Sequence, residues 1–201
     1  MLLLHGEEGQ NITTRERAYW FSQQGYVAFA PDYFTPFGII PGKFKTSFYQ
    51  DDVDRVRETL AWCILGLKAP PYVSKERIGV YGHSLGGYLS FILGTRSDVK
   101  AVISCSGAYA PAVPSRYTLD EVCTQIYGPV LIFHGEADDV VPISDASTAA
   151  DLLKKYNKQY EYITYPGTGH YFDVKQMESY SEKTTADYQQ KMLAFLKAKM
   201  P

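Results

Sequence analysis

Cysteine is scarce in this chain of 201 residues: three occur, Cys63, Cys105 and Cys123. Their scattered spacing makes neither a metal-ligand pattern nor a disulfide framework. They read as buried, reduced thiols in a cytoplasmic protein, with a Cys105–Cys123 bridge as the alternative. Charge of one sign is also lacking. A formal net charge of -2 leaves no basic face for nucleic acid and no strong field for an acidic partner. No apolar run approaches the ~20 residues that a membrane-crossing helix needs. Met1-Leu2-Leu3-Leu4 is too short for a signal-peptide core and has no basic start, so no membrane role is expected. Repeats, low-complexity runs and linker-like stretches are absent, and residues 1–201 read as one domain. Neither a phosphate-cradling loop nor a flavin signature nor a metal cluster is visible, so no cofactor is expected.

What is present is alternation. Hydrophobic residues make up 45% and charged residues 21%, enough for a sizeable core. Short apolar strands are expected at 2–5, 26–30, 77–81, 99–104, 129–134 and 160–164. Helices are expected between them: one begun by a capping box at Thr13-Thr14-Arg15-Glu16 and ended by Gly25, then 50–65, 87–93, 143–156 and 182–199. This pattern predicts an α/β fold with a mostly parallel sheet of about six strands and helices on both faces. In such sheets the functional crevice lies beyond the carboxyl ends of the strands. Polar residues just after each strand are therefore the ones that matter.

Gly82-His83-Ser84-Leu85-Gly86 stands at one of those ends, between the strand at 77–81 and a helical run. A serine on so sharp a strand-to-helix turn has its hydroxyl pushed clear of the backbone, the geometry of a nucleophile. Serine is a weak nucleophile and needs a base. Of the four histidines, His83 adjoins Ser84 and should point away from it, while His5 and His134 precede glycines at strand ends and are expected to support turns. His170, in the loop Gly167-Thr168-Gly169-His170 after the last strand, is the candidate base. The base needs an acid to fix its tautomer. Asp138 and Asp139 are both available in Gly135-Glu136-Ala137-Asp138-Asp139, and Asp138 is favoured. Oxyanion donors are expected from the amide of Leu85, at the mouth of a helix, and from the loop after the first strand, at Glu7.

These residues resemble the α/β-hydrolase superfamily, and within it the small dienelactone-hydrolase-like branch. The likeness rests on His5-Gly6-x-x-Gly9, Gly25 to Tyr33, Gly82 to Gly87, His134-Gly135-x-x-Asp138-x-x-Val141-Pro142 and Gly167-x-Gly169-His170-x-Phe172. It implies an α/β-hydrolase fold, with Asp138 as the acid and the amides of Glu7 and Leu85 as the oxyanion donors. Three positions depart from the branch: Ser84 stands where dienelactone hydrolases carry cysteine, Gly6 where they carry glutamate, and Val174 where they carry a carboxylate-binding arginine. Each departure points to a neutral ester. Such proteins usually have a strand or hairpin before the one at Leu2, so this chain is expected to be a minimal version or a piece of a longer protein.

The stretch 106–128 is where this fold inserts a lid, and here it is short. Its Tyr109, Pro111, Pro114, Tyr117 and Tyr127, with Phe34, Phe37, Phe44 and Phe48, would line an acyl or alcohol pocket, although about half of them would be ordinary packing. Lys43 and Lys45 read as solvated surface. The expected activity is hydrolysis of small-molecule carboxylic esters, short-chain or aryl, through an acyl-enzyme. The alternatives are hydrolysis of a peptide, thioester or lactone by the same groups, or a non-catalytic binding domain on a hydrolase fold.

Overall fold

Apolar side chains alternate between two faces along each interior strand, and that alternation builds two cores. A computed structural model describes residues 1–43, 46–109 and 115–201. Its parallel sheet comprises β1 (Leu2–Leu4), β2 (Gly79–His83), β3 (Ala101–Cys105), β4 (Val130–Gly135) and β5 (Tyr160–Tyr165), side by side in that order. Every residue of β1 to β4 is buried, as expected of strands covered on both sides. β5 is the half-exposed edge.

Leu2, Leu4, Val80, Val102, Val130 and Ile132 face one core, which α2 (Val53–Lys68), α3 (Leu85–Gly94), α4 (Leu119–Gln125) and α5 (Ile143–Lys155) close. In α2 the stripe Val53, Val56, Leu60, Ile64 and Leu67 is buried at helical spacing, each side chain contributing ~2 kcal/mol of apolar burial. Leu3, Tyr81, Ile103, Leu131 and Phe133 face the other core, where α1 (Ile12–Gln23) contributes Phe21 and α6 (Glu182–Lys199) contributes Tyr188, Met192, Phe195 and Leu196. Among the described residues no helix is long and apolar enough to cross a membrane.

The sheet has five strands rather than about six, because the segment 26–30 does not form a ladder. It meets β1 at one bridge, Leu2 opposite Phe29, held by Leu3 N–H to Phe29 O at 2.8 Å and Phe29 N–H to Met1 O at 2.9 Å. β1 is only three residues long, alanines alternate through the segment, and Pro31 has no N–H to continue the pairing. The cap of α1 also differs from expectation. Asn11, not Thr13, accepts from the Thr14 amide at 3.2 Å. Helix α4 lies outside the expected set, although Thr118 and Glu121 form a reciprocal capping box at its start. All three cysteines are free, which removes the Cys105–Cys123 bridge.

The path of the chain fixes where a crevice can open. From β1 it runs through α1 to the segment 26–30 on one side, then through α2 to β2 on the other side of β1. The winding direction therefore reverses at β1, and the crevice of such sheets opens at that reversal, past the ends of β1 and β2.

Candidate active site

Ser84 joins β2 to α3 with φ 55° and ψ −119°, a conformation that costs a non-glycine residue ~1–3 kcal/mol. Hydrogen bonds hold it there. Its N–H donates to Cys105 O at 3.0 Å, and its carbonyl accepts from Gly87 N at 2.8 Å and Ala108 N at 3.1 Å. The flanking glycines are a matter of space. A Cβ on Gly82 would lie 1.9 Å from Gly86 O, and one on Gly86 would lie 2.3 Å from Leu4 O. The strand, turn and helix thus touch backbone to backbone.

His170 and Asp138 come from loops after β5 and β4 and meet at 2.7 Å, His170 Nδ1 to Asp138 Oδ2, with both side chains buried. The other carboxylate oxygen, Oδ1, accepts the amides of Val140 at 3.0 Å and Val141 at 2.8 Å. Burial pushes the Asp138 carboxyl up, but the His170 bond and those two amides outweigh it and hold it below the usual carboxylate range. An ionised Asp138 fixes the proton of His170 on Nδ1 and leaves Nε2 as an acceptor. That Nε2 is buried and has no hydrogen-bond partner among the described residues. Asp139 is exposed.

The other three histidines brace the loops. His83 donates from Nε2 to the carbonyl of His170 at 3.1 Å, and the two rings lie 4.8 Å apart, so the residue before Ser84 holds the His170 loop directly. Burial, reinforced by the nearby Arg17 charge, pushes His83 well below its ordinary value and keeps it neutral. His134 donates from Nε2 to Val141 O at 2.9 Å and stands 3.5 Å from Asp138 Oδ2. His5 donates from Nδ1 to Gly6 O at 2.8 Å and stacks on Tyr33 at 3.8 Å; burial pushes it down to about 4.

The loop after β1 runs beside this cluster. Gly9 closes it with φ 74° and donates to Gly6 O at 3.2 Å, while Gly42 N donates to Glu7 O at 3.2 Å. The Glu8 carboxylate folds back to accept from Gly6 N at 3.3 Å. The amides of Glu7 and Leu85 donate to no described acceptor. Leu85 N is one of the first-turn donors that every helix leaves without an internal partner. Among the described residues no group of three or more His, Cys, Asp or Glu side chains is placed to hold a metal ion.

Of the aromatics expected to line a pocket, Phe34, Phe48 and Tyr109 are buried in packing, and Tyr127 is exposed. Phe37 and Phe48 flank a small cavity of about 170 Å³ with Ile39, Ile40 and Lys43. Phe44, Lys45, Pro111 and Pro114 lie outside the described residues. Sequence reasoning misses a buried pair behind the site: Arg17 of α1 grips Asp173 with Nε at 2.8 Å and Nη2 at 2.7 Å. These residues are 156 positions apart, and no local motif marks either of them.

Comparison with known proteins agrees with this architecture. A model described as the dienelactone hydrolase family matches residues 2–200. A protein of Synechocystis, provisionally named a carboxymethylenebutenolidase, is 28% identical over 92% of this chain and 79% of its own length. The crystal structure of a provisionally assigned dienelactone hydrolase from Klebsiella pneumoniae superposes with a TM-score of 0.84, at 22% identity, over 97% of this chain and 85% of that one. A dienelactone hydrolase-like promiscuous phosphotriesterase from metagenomic libraries does so with a TM-score of 0.81, at 17% identity, over 100% of this chain and 86% of that one.

Proposed function

The chain belongs to the dienelactone hydrolase family, and from that premise we propose that it hydrolyses carboxylic esters through an acyl-enzyme formed on Ser84. The observation that carries this reading is the 2.7 Å bond between His170 and Asp138, with Nε2 unpartnered, on a loop tied by His83 to the strained turn at Ser84.

In this mechanism His170 Nε2 takes the Ser84 Oγ proton as Oγ attacks the ester carbonyl. The carbonyl oxygen becomes an anion that accepts N–H bonds from Glu7 and Leu85. Losing one such donor typically costs ~10²–10³ in turnover. The imidazolium, steadied by ionised Asp138, protonates the departing alcohol. Water then enters, gives its proton to the same Nε2 and releases the acid.

Neutral esters suit the site better than anionic ones. Val174 brings no cation, and Glu8 holds a carboxylate against the loop that supplies the Glu7 amide. A peptide, thioester or lactone would use the same groups, so the substrate panel decides among them.

The direct test is release of p-nitrophenol from acetate, butyrate and octanoate esters by the native chain and Ser84→Ala. Turnover should favour the shorter acyl chains and fall ~10³-fold or more in the variant. Equal rates in both proteins would remove Ser84 from the mechanism.

A further inference from the structure

Helices α1 and α6 do not close fully over β2. A cavity of about 310 Å³ lies between them, with Trp20 and Phe21 on one side, Tyr188 and Met192 on the other, and Tyr81 as the floor. It shares no lining residue with Ser84, Asp138, His170 or the loop after β1. Its volume falls at the lower end of small-molecule sites, room for a single ring with a short substituent.

The floor is polar in a particular way. Arg17 reaches it with Nε and Nη2 committed to Asp173, which leaves Nη1 with no described partner. Tyr81 accepts the Tyr188 hydroxyl proton at 2.9 Å, so its own O–H is left to donate. Both donors belong to residues that line the cavity, and each is left to find an acceptor. Charge selects the kind of acceptor. Glu16 and Lys175, also in the lining, offset one another in formal charge, and Asp173 already neutralises Arg17, both of that pair being nearly buried at 11% and 5% exposure. A carboxylate placed on Nη1 would meet the Asp173 carboxylate in a poorly solvated space, whereas an uncharged carbonyl would not. Of the Trp20, Phe21 and Tyr188 rings, Phe21 and Tyr188 are almost wholly buried, so the half-buried Trp20 is the one with surface left for a flat aromatic group.

We propose that this cavity is a second small-molecule site, separate from the catalytic crevice, that takes a neutral aromatic carbonyl compound. Its ring lies between Trp20 and Met192, and its carbonyl accepts from Arg17 Nη1 and Tyr81 Oη. Asp173 stands three residues beyond His170, so the occupant touches the ion pair that anchors the catalytic loop.

Trp20 provides the readout. In a Trp62→Phe background, where Trp20 is the sole tryptophan, benzamide titration should change the emission saturably. Benzoate, with the same ring and a negative charge, should bind at least tenfold more weakly. Gln189→Phe, which places a ring in the opening, should weaken benzamide at least tenfold with the thermal melt unchanged. Methyl-labelled protein should also show contacts between the benzamide ring and the Met192 methyl group. The proposal is overturned by an emission that benzamide leaves unchanged up to its solubility, by benzoate binding as tightly as benzamide, or by ring contacts that avoid Met192.

Discussion

Asp138 spends both carboxylate oxygens, one on His170 and one on two backbone amides, and this explains how an acid can stay ionised while buried. Replacing it by asparagine keeps the shape and removes the charge that fixes the His170 tautomer. Asp138→Asn should lower kcat for p-nitrophenyl acetate ~10³-fold or more, and exposed Asp139→Asn should change it less than about twofold; the reverse order would reassign the acid. The buried histidines set a different dependence. His5, pushed down to about 4, and His83, pushed well below its ordinary value, are neutral when folded over a range where the unfolded chain would protonate them. The unfolded state then binds more protons, so stability rises with pH across this window and is lost as pH falls from about 6.5 toward 4. Asp138 acts lower down. Its folded carboxyl is depressed, so its contribution is present above about pH 4 and disappears below. Urea melts between pH 7 and 4.5 should show the first loss, and His5→Asn, which retains a donor in place of Nδ1, should flatten that slope.

At the scale of the element, glycine separates structure from convenience. Gly86 touches the Leu4 and His5 carbonyls, so the approach of α3 to β1 tolerates no Cβ; Gly66 in α2 has nothing within 4 Å. Gly86→Ala should cost several kcal/mol and abolish esterase activity, because it pries the Ser84 turn from the loop after β1. Gly66→Ala should raise stability by about 1 kcal/mol through helix propensity, or about 2–4 °C in a thermal melt. The same contrast explains what is legible in the sequence. Gly82-x-Ser84-x-Gly86 is legible because backbone contact leaves a fixed spacing, and α2, α5 and α6 are legible because burial leaves a periodic stripe. The segment 26–30 has the composition of a strand but pairs with a neighbour only three residues long, a fact about β1 rather than about itself. Helix α4 carries its capping box in plain view, but it is short and sits in a stretch whose prolines and tyrosines have the composition of a loop. The bond of His83 to the His170 carbonyl leaves no mark, since it joins a side chain to a backbone atom 87 positions away.

At the scale of the whole molecule, the Arg17–Asp173 pair is the main polar link between α1 and the loop that carries His170. Breaking one side of a buried ion pair leaves the other charge stranded, typically at a cost of ~3–5 kcal/mol. Arg17→Met should lower the melting temperature by ~10 °C, and Arg17→Met with Asp173→Leu should recover most of that loss. Recovery of stability without recovery of kcat would show that the pair also sets the position of His170.

The sheet order, each strand beside the one made just before it, also governs how the protein can be born. On the ribosome every newly exposed strand finds its partner already waiting, so folding need not pause for distant sequence and aggregation-prone edges stay one strand wide. The serine turn is completed early in synthesis and the imidazole loop arrives only after β5. A nascent chain should therefore react with a fluorophosphonate probe only after β5, the His170 loop and α6 have emerged and α6 has seated itself.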